Sequence, residues 1–415
     1  MTYALDPEQK TLEENYLLPT FGRYPVEFVR GEGARLYDVD GNEFLDFLSG
    51  IAVCSLGHCN KNVVKAIQDQ AAQLMHVSNY FYIQNRGEAA KKINDLLNFG
   101  AEEPHNWKMF FTNSGAESNE CAIKSPGFAG NRSKGNDGTH TKVIVLKQSF
   151  HGRTMETLAA TAQDRFHYGL FPLSPVFIEV EANNEEELEN TFRVWGDQVA
   201  AMVLEPVQGE SGVHPISESY MKLVRKLTEE NKAFMIVDEV QSGIYRSGAP
   251  FAFQLAGVVP DMVTMAKGIG GGFPCGCCAA RGRAAEILGP GDHGTTFGGS
   301  CLAIAAINAT LDELKDEDVL SNVVLVSDYM CHKLETVEGI KEVRGRGLLL
   351  GADLEDGISA HDVVAESLTG QNLIINATVG DSTLRFLPPL IITKADVDEF
   401  IEKLEAAIKT VEQAA

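Results

Sequence analysis

The stretch Asp261-Met-Val-Thr-Met-Ala-Lys267-Gly-Ile-Gly-Gly-Gly-Phe-Pro274 places one lysine between an apolar segment and a run of glycines. Residues 263–265 predict a short buried strand that ends just before Lys267. The glycines remove side chains around it and let the backbone approach a ligand closely. Because a lysine beside an apolar strand end is poorly hydrated, its pKa falls and its neutral amine can attack carbonyl groups. Taken alone, a Lys-Gly pair is more often a solvated lysine that begins a flexible loop.

A second stretch, Ala233-Phe-Met-Ile-Val-Asp238-Glu-Val-Gln-Ser-Gly243, reverses that balance. Its apolar run has the length of a strand, and Asp238 stands at the end of the run. Ligands of a doubly wound parallel sheet bind outside the carboxyl ends of the strands, so we expect Asp238 and Lys267 at the same edge. A carboxylate that faces a carbonyl-binding lysine indicates pyridoxal phosphate, because the acid keeps the pyridine nitrogen protonated and the ring can then accept electrons.

Together the two stretches resemble those of the class III (ω-amino acid) aminotransferases of the fold-type I pyridoxal-phosphate superfamily, and within that family they are most similar to acetylornithine aminotransferases. The resemblance runs from Tyr24-Pro-Val26 to Arg385. It implies an α/β fold with a large domain, built on a mostly parallel mixed sheet flanked by helices, and a small α+β domain. We expect residues 1–75 to form an N-terminal segment and part of the small domain, 76–325 the large cofactor-binding domain, and 326–415 the C-terminal small domain.

The composition is that of a globular protein long enough for two domains. The chain has 415 residues, of which 44% are hydrophobic and 22% charged, and it can bury a large core. Its formal net charge of −23 argues against nucleic acid or an anionic membrane as a partner. No apolar run approaches the roughly 18 residues of a membrane span, and the polar N-terminus does not resemble a signal peptide. We therefore expect a cytoplasmic protein.

The eight cysteines predict neither disulfides nor a metal site. The chain is too long for them to form a disulfide framework. Cys275, Cys277 and Cys278 have the spacing C-x-C-C without a matching second pair, and they lie in a predicted buried strand. Packing of small side chains is the better interpretation than metal binding.

The stretch Asn113-Ser-Gly-Ala-Glu117 joins a short apolar strand to a predicted helix. Ser114 and Glu117 have the spacing of a capping box. The free backbone N–H groups of such a helix start bind anions, and phosphate suits them, although a well-capped helix alone would have the same pattern. The resemblance assigns the amides of Gly115 and Ala116 to the cofactor phosphate.

Three other patterns predict local structure. Lys124-Ser-Pro126-Gly127 predicts that the helix breaks early or kinks at the proline. Val343-Arg-Gly345-Arg-Gly347 imitates a dinucleotide fingerprint, but its apolar continuation predicts a strand where that motif requires a helix, so we reject it. Thr393 and Asp396 are expected to cap a final amphipathic helix.

Ser149-Phe150-His-Gly-Arg153 follows another predicted buried strand. Phe150 can stack on an aromatic ring and Arg153 can bind a carboxylate with two parallel hydrogen bonds, although an aromatic residue next to a histidine is more often core. The resemblance implies that Phe150 stacks on the pyridoxal ring and that Arg153 binds the α-carboxylate of the amino substrate. It also implies that Gln241 hydrogen-bonds the 3′-oxygen of the cofactor.

The remaining site residues rest on the resemblance. It pairs Glu210 with Arg385, which lets one pocket accept two substrates, whereas each alone could be a surface charge. The stretch Gly294-Thr-Thr-Phe-Gly-Gly-Ser300 suits phosphate but is also ordinary loop composition. The resemblance places Thr295 at the substrate and Thr296 at the phosphate of the neighbouring subunit's cofactor. It therefore implies a homodimer with shared active sites.

The activity that the resemblance implies is pyridoxal-phosphate-dependent transfer of an ω-amino group from a small-molecule donor to a 2-oxo acid acceptor. Lys267 would carry the cofactor and act as the base, and Asp238 would hold the pyridine proton. The expected substrates are N2-acetylornithine and 2-oxoglutarate, as in arginine biosynthesis, with succinylornithine, succinyldiaminopimelate, ornithine and 4-aminobutyrate as alternative amines. Ile51 stands where ornithine aminotransferases carry a tyrosine, which favours an acylated amine. A catalytically silent relative that only binds ligands is the other class of function, and the presence of both Lys267 and Asp238 argues against it.

Overall fold

The computed structural model describes residues 5–132 and 140–414. The α-helices, in chain order, are α1 Pro7–Tyr16, α2 Ser49–Ala52, α3 Lys61–Gln73, α4 Arg86–Leu97, α5 Gly115–Arg132, α6 Met155–Ala160, α7 Asp164–His167, α8 Glu185–Trp195, α9 Glu218–Glu230, α10 Cys301–Asp316, α11 Val319–Leu334, α12 Ala360–Gln371 and α13 Lys394–Ala414. The strands are β1 Phe28–Glu32, β2 Arg35–Asp38, β3 Glu43–Asp46, β4 Trp107–Thr112, β5 Lys142–Leu146, β6 Phe177–Val180, β7 Val199–Leu204, β8 Val207–Gln208, β9 His214–Pro215, β10 Phe234–Asp238, β11 Met262–Met265, β12 Gly276–Arg281, β13 Ile340–Arg346, β14 Leu349–Leu354, β15 Leu373–Ile374, β16 Asn376–Ala377 and β17 Thr383–Phe386.

The central sheet has the strand order β4-β12-β11-β10-β7-β5-β6. The five strands from β11 to β6 in this order run parallel to one another. Strand β12 is antiparallel to both of its neighbours, β11 and β4. Every residue of β7 and of β10 is buried, as expected where helices cover both faces of a sheet. The predicted mostly parallel, mixed sheet is thus confirmed.

Strands β10 and β11 bring the two decisive stretches together. They are adjacent and parallel, with Asp238 opposite Thr264. Strand β10 ends at Asp238, and β11 ends at Met265, two residues before Lys267. The carboxylate and the lysine therefore lie at the same edge of the sheet, as the sequence predicts.

Helix α5 begins where predicted but does not end where predicted. Ser114 Oγ accepts a hydrogen bond from Glu117 N at 3.2 Å, whereas the Glu117 carboxylate accepts from Asn113 N at 2.9 Å, one residue before the position that a capping box requires. Of the two predicted outcomes at Pro126, the break is wrong, since the helix continues through the proline to its end at Arg132, whereas the kink stays a prediction. A proline removes one intrahelical hydrogen bond, but the turn before it is packed in the core against the sheet, and packing holds the helix.

The beginning and the end of the chain pack together. Strand β3 pairs in parallel with β15, and Phe47 stacks on Phe400 of α13 at a ring-centroid distance of 4.2 Å. Thr393 and Asp396 cap α13 through reciprocal hydrogen bonds, as predicted.

The division into domains stays a prediction. Strands β13 and β14 form an antiparallel hairpin around the glycines of the rejected dinucleotide motif, which confirms the rejection.

All eight cysteines lie in the described residues, where they are free. Among residues 5–132 and 140–414, no group of three or more histidine, cysteine or acidic side chains could hold a metal ion. Within the same residues, no helix combines the length and the apolar character that a membrane crossing requires.

Candidate active site

A cavity of about 480 Å³ opens at the carboxyl edge of β10 and β11. The predicted site residues that line it are Gly115, Ala116, Phe150, Arg153, Glu210, Asp238, Gln241 and Lys267. They come from widely separated parts of the sequence, and the sheet edge is what brings them together.

Lys267 is half-buried at the start of a 3₁₀ turn, Lys267–Gly270, and its backbone has the left-handed φ of 48°. Within the described residues its ammonium group makes no hydrogen bond or ion pair. Loss of hydration is the largest cause of its lowered pKa, against which the charge of Glu210 raises it. The solvated loop lysine is therefore ruled out, and the chain presents a free amine to the cavity.

Asp238 is 4% exposed and is held by three donors. Its Oδ2 accepts hydrogen bonds from Asn119 Nδ2 at 2.7 Å and His151 Nδ1 at 2.8 Å, and its Oδ1 accepts from Val240 N at 3.0 Å. These contacts fix the orientation of the carboxylate, so that it does not swing towards Lys267.

His151 links this carboxylate to the cavity wall. Its side chain is fully buried, and burial acts to lower its pKa, but the hydrogen bond and the charge of Asp238 raise the pKa overall. Its Nε2 is buried without a hydrogen-bond partner among the described residues. Buried polar atoms are nearly always hydrogen-bonded in folded proteins, so we expect a polar contact to His151 Nε2 at this position of the cavity wall.

Glu205 stands behind Phe150 and also lines the cavity. Its carboxylate accepts a hydrogen bond from Phe150 N at 3.0 Å. Burial raises the pKa of Glu205 to about 8, with the charge of Asp238 acting in the same direction and that of His151 against it. This acid is therefore mostly protonated at neutral pH.

Glu210 and Arg385 form the ion pair that the resemblance implies. Arg385 is 1% exposed, and its Nη1 lies 2.8 Å from Glu210 Oε1 and 2.9 Å from Gly209 O. Although burial raises the pKa of Glu210, the charges of Arg385 and Lys267 lower it to about 2. Gln241 belongs to the same network, since its Nε2 lies 3.4 Å from Glu210 Oε1.

Thr295 and Thr296 are not brought to the cavity that holds Lys267. Thr295 Oγ1 accepts hydrogen bonds from Asn113 Nδ2 at 3.2 Å and Gly298 N at 3.1 Å, so it supports the turn before α5 from within its own chain. Thr296 is exposed and lines a second cavity, of about 1520 Å³, together with Tyr80.

Helix α2, which directly precedes the cavity-lining Val53, is a left-handed turn, with positive φ at all of its residues: Ser49 47°, Gly50 66°, Ile51 64° and Ala52 62°. Such a run is unfavourable for L-residues and needs support from its surroundings. Asp46 supplies it, because its Oδ1 accepts hydrogen bonds from Leu48 N and Ser49 N, each at 2.8 Å. Ile51 at the tip is 40% exposed.

Sequence reasoning missed Asn119 and Glu205 and gave His151 no role. Asn119 stands four residues after Gly115, hence on the same face of α5, and a polar residue on the face that packs on the sheet is a usable signal. Glu205 follows directly on the buried strand β7, at the same sheet edge as Asp238. Its neighbours in space come from other strands, so its altered pKa could not be predicted.

A desolvated amine, a fixed carboxylate and a helix start around one cavity are the parts that a pyridoxal-phosphate enzyme requires. Comparison with known proteins narrows the class: the chain belongs to the class-III aminotransferases, whose family profile matches residues 20–408. The predicted family, fold, enzyme class and cofactor are confirmed.

Several acetylornithine aminotransferases are similar over nearly the whole chain. The enzyme of Caldanaerobacter subterraneus subsp. tengcongensis is 42% identical, with 97% of this chain and 99% of that protein covered. The enzyme of Bacillus subtilis is 38% identical, with 94% and 97% covered.

The fold has solved relatives. Ornithine aminotransferase from Toxoplasma gondii, with pyridoxal phosphate partly occupying its active site, has a TM-score of 0.91 at 29% identity, covering 98% of this chain and 95% of that one. Acetylornithine aminotransferase from Elizabethkingia anophelis has a TM-score of 0.83 at 30% identity, covering 97% and 98%.

Replacing Glu205 by glutamine should remove a pH dependence of stability. The folded pKa of about 8 lies above the ordinary glutamate value, so the stability that this group contributes is fully present in acid and is lost as the pH rises through about 8. Glutamine stays neutral and its carbonyl can still accept from Phe150 N. We expect urea unfolding from pH 5 to pH 9 to show the wild type losing stability relative to Glu205→Gln. The exposed Glu179→Gln should run parallel to the wild type, and a constant gap between wild type and Glu205→Gln would contradict the protonated state.

Proposed function

We propose that this chain transfers the ω-amino group of N2-acetylornithine to 2-oxoglutarate, giving N-acetylglutamate semialdehyde and glutamate. The observation that carries the reaction is the free, desolvated amine of Lys267 in the same cavity as Asp238. The choice of amine is supported by the acetylornithine aminotransferases to which nearly the whole chain is similar. The cytoplasmic location stays a prediction.

The residues fit pyridoxal phosphate. The cavity volume lies within the roughly 300–1,000 Å³ of small-molecule sites. The start of α5 offers free amides to phosphate at Gly115 and Ala116. A methyl group at Gly115 would lie only 2.6 Å from Cγ1 of Val240, so the close packing of this helix start against Val240 requires glycine. Phe150 offers a ring to stack on. When bound, the cofactor supplies an aldehyde that condenses with amines and an electron-poor ring that stabilises negative charge on the substrate carbon.

Lys267 has two roles in this proposal. Its amine would hold the cofactor covalently, and its Nζ would move a proton to and from the substrate carbon. The lowered pKa suits both tasks, because a larger fraction of the amine is unprotonated at neutral pH.

Asp238 holds the proton of the pyridine nitrogen. Asn119 and His151 orient its carboxylate through hydrogen bonds to Oδ2. Gln241 is proposed to hydrogen-bond the 3′-oxygen of the cofactor from its position beside Glu210.

The chain must accept two substrates of different charge in one pocket. Arg153 lines the cavity without a hydrogen bond or ion pair in the described residues, and it is proposed to bind the α-carboxylate. With acetylornithine bound, Glu210 stays paired with Arg385. With 2-oxoglutarate bound, Arg385 turns from Glu210 to the second carboxylate. Since the pKa of Glu210 is about 2, the resting pair persists at physiological pH.

A panel of amines with 2-oxoglutarate as acceptor tests the proposed substrate. Ile51 has no hydroxyl that could hydrogen-bond a free α-amine, so a charged amine gains no partner from this residue. We expect kcat/KM for N2-acetylornithine to exceed that for ornithine and 4-aminobutyrate, on the order of tenfold or more, measured as glutamate formed. Succinylornithine and succinyldiaminopimelate complete the panel. A preference for a free amine or for a succinylated one would refute the acetyl assignment while leaving the aminotransferase chemistry intact.

We also propose a homodimer in which Thr296 of each chain reaches the phosphate bound by the other. The support is that Thr296 is exposed and that the cavity it lines is flanked by bare aromatic rings, Tyr80 being 95% and Tyr82 103% exposed. Clustered exposed apolar side chains are typical of surfaces that bind another protein. A two-fold contact would then supply each threonine reciprocally.

Thr296→Val deletes one hydrogen bond to a charged group, worth on the order of 1.5–3 kcal/mol. Cofactor affinity should therefore fall roughly 10- to 100-fold with little change in fold, as measured by titration of the apoenzyme. Thr410→Val, which changes an exposed threonine of α13, is the matched control and should leave the affinity unchanged.

A mixed dimer decides which chain supplies the hydroxyl. When a Thr296→Val chain pairs with a Lys267→Ala chain, the site that retains Lys267 borrows its threonine from the chain that is wild type at 296. That site should bind cofactor normally. Weak binding there would place Thr296 within its own subunit, and a fully active monomer at high dilution would refute the shared site.

A further inference from the structure

The short helix α7 carries an aromatic ring that two guanidinium groups share. The Cζ atoms of Arg153 and Arg165 lie 3.9 Å and 4.3 Å from the ring centroid of Phe166. The same ring meets Phe150 edge-on, with centroids 6.0 Å apart and an interplanar angle of 71°. Phe150 and Arg153 line the cavity of Lys267, whereas Phe166 and Arg165 stand just outside the lining.

The ring of Phe166 is held in place from both ends of α7. Gln163, which precedes the helix, is 3% exposed, and its Nε2 donates to Ser149 O at 2.9 Å. At the other end, the His167 imidazole hydrogen-bonds Leu158 O at 2.9 Å. Ser149 is the residue before Phe150, so the segment that carries Phe166 is fastened to the segment that carries Phe150 and Arg153.

Both guanidinium groups lack an acidic partner. Within the described residues neither Arg153 nor Arg165 forms a hydrogen bond or an ion pair, although the chain has a net charge of −23. The pKa of Arg165 is lowered, first by partial burial and then by the charge of Arg153, while Glu210 raises it. Arg165 is therefore within electrostatic reach of two residues of the cavity wall.

Cations close to the face of an aromatic ring are attracted to it, which here favours one orientation of each flexible arginine. Two positive charges beside the ring of Phe166, neither in contact with an acid in the described residues, repel each other, and an anion near both relieves the repulsion. The benefit grows with the negative charge of the anion. No role in the reaction derived above uses Phe166 or Arg165.

We propose that Phe166 and Arg165 determine specificity for carboxylated substrates: Phe166 positions Arg153, and Arg165 adds a second cation that favours dicarboxylates over monocarboxylates. This rests on the proposed function only in that Arg153 binds a substrate carboxylate.

Arg165→Gln tests the second cation with two inhibitors of equal length, glutarate with two carboxylates and pentanoate with one. The inhibition constant of glutarate should rise roughly three- to tenfold, and that of pentanoate by less. The difference from wild type should shrink at 0.5 M salt, because screening is then strong over a few ångström. Arg193→Gln removes an exposed arginine of α8, hydrogen-bonded to Asn190, and is the matched control that should change neither constant. Equal constants in wild type and Arg165→Gln, or equal rises for both inhibitors, would overturn the role of Arg165.

Phe166→Leu and Phe166→Tyr test the positioning role. Leucine keeps apolar bulk but loses the aromatic face, so KM for 2-oxoglutarate should rise roughly two- to fivefold, with kcat changing less. Tyrosine should restore the wild-type KM. If tyrosine behaves like leucine, the ring serves packing alone and the positioning role is refuted.

The results for the Arg165 and Phe166 variants can be distinguished from the result of the amine panel. A panel that favours another amine, together with a selective loss of glutarate binding in Arg165→Gln, would refute the proposed substrate and support the present inference. A panel that favours N2-acetylornithine, together with unchanged glutarate binding in Arg165→Gln, would support the proposed substrate and refute the role of Arg165.

Discussion

The amine of Lys267 remains free in a cavity that contains three carboxyl groups, and the chemistry depends on this. Each of these three acids is prevented in a different way from forming an ion pair with the amine of Lys267. Asp238 is occupied by Asn119, His151 and the backbone of Val240. Glu210 is paired with Arg385, and Glu205, with a pKa of about 8, is mostly uncharged at neutral pH. A desolvated lysine beside an unengaged carboxylate would form an ion pair and lose its nucleophilic character.

The residues that engage these acids come from elements far apart in sequence. The free state of the Lys267 amine therefore depends on much of the fold. Asn119 comes from α5, His151 from the loop after β5, and Arg385 from β17 near the end of the chain. Strands β10 and β11 provide the carboxylate and the lysine themselves. The same chain is strongly acidic, so Arg153 and Arg165, which form no ion pair within the described residues, are a local exception to its overall charge.

The sequence was sufficient for the elements that depend on local pattern. The apolar runs that end at Asp238 and before Lys267 predicted two strands with a common edge, and the structure has them adjacent and parallel. Pro126 misled because local propensity was overridden by the packing of α5 against the sheet. Asn119 and Glu205 escaped because their importance lies in contacts and burial across strands, which no spacing in one dimension encodes. Thr296 cannot be placed by one chain at all, since its proposed partner atom belongs to another copy.

Covalent mapping of the cofactor on Lys267 tests the central claim most directly. The loaded enzyme would be reduced with borohydride, which fixes the cofactor to the amine that holds it, and then digested and mapped by mass spectrometry. The free amine and lowered pKa of Lys267 predict a pyridoxyl group on the peptide that contains Lys267 and on no other lysine peptide. Label on a different lysine, or none at all, would contradict the account of this site.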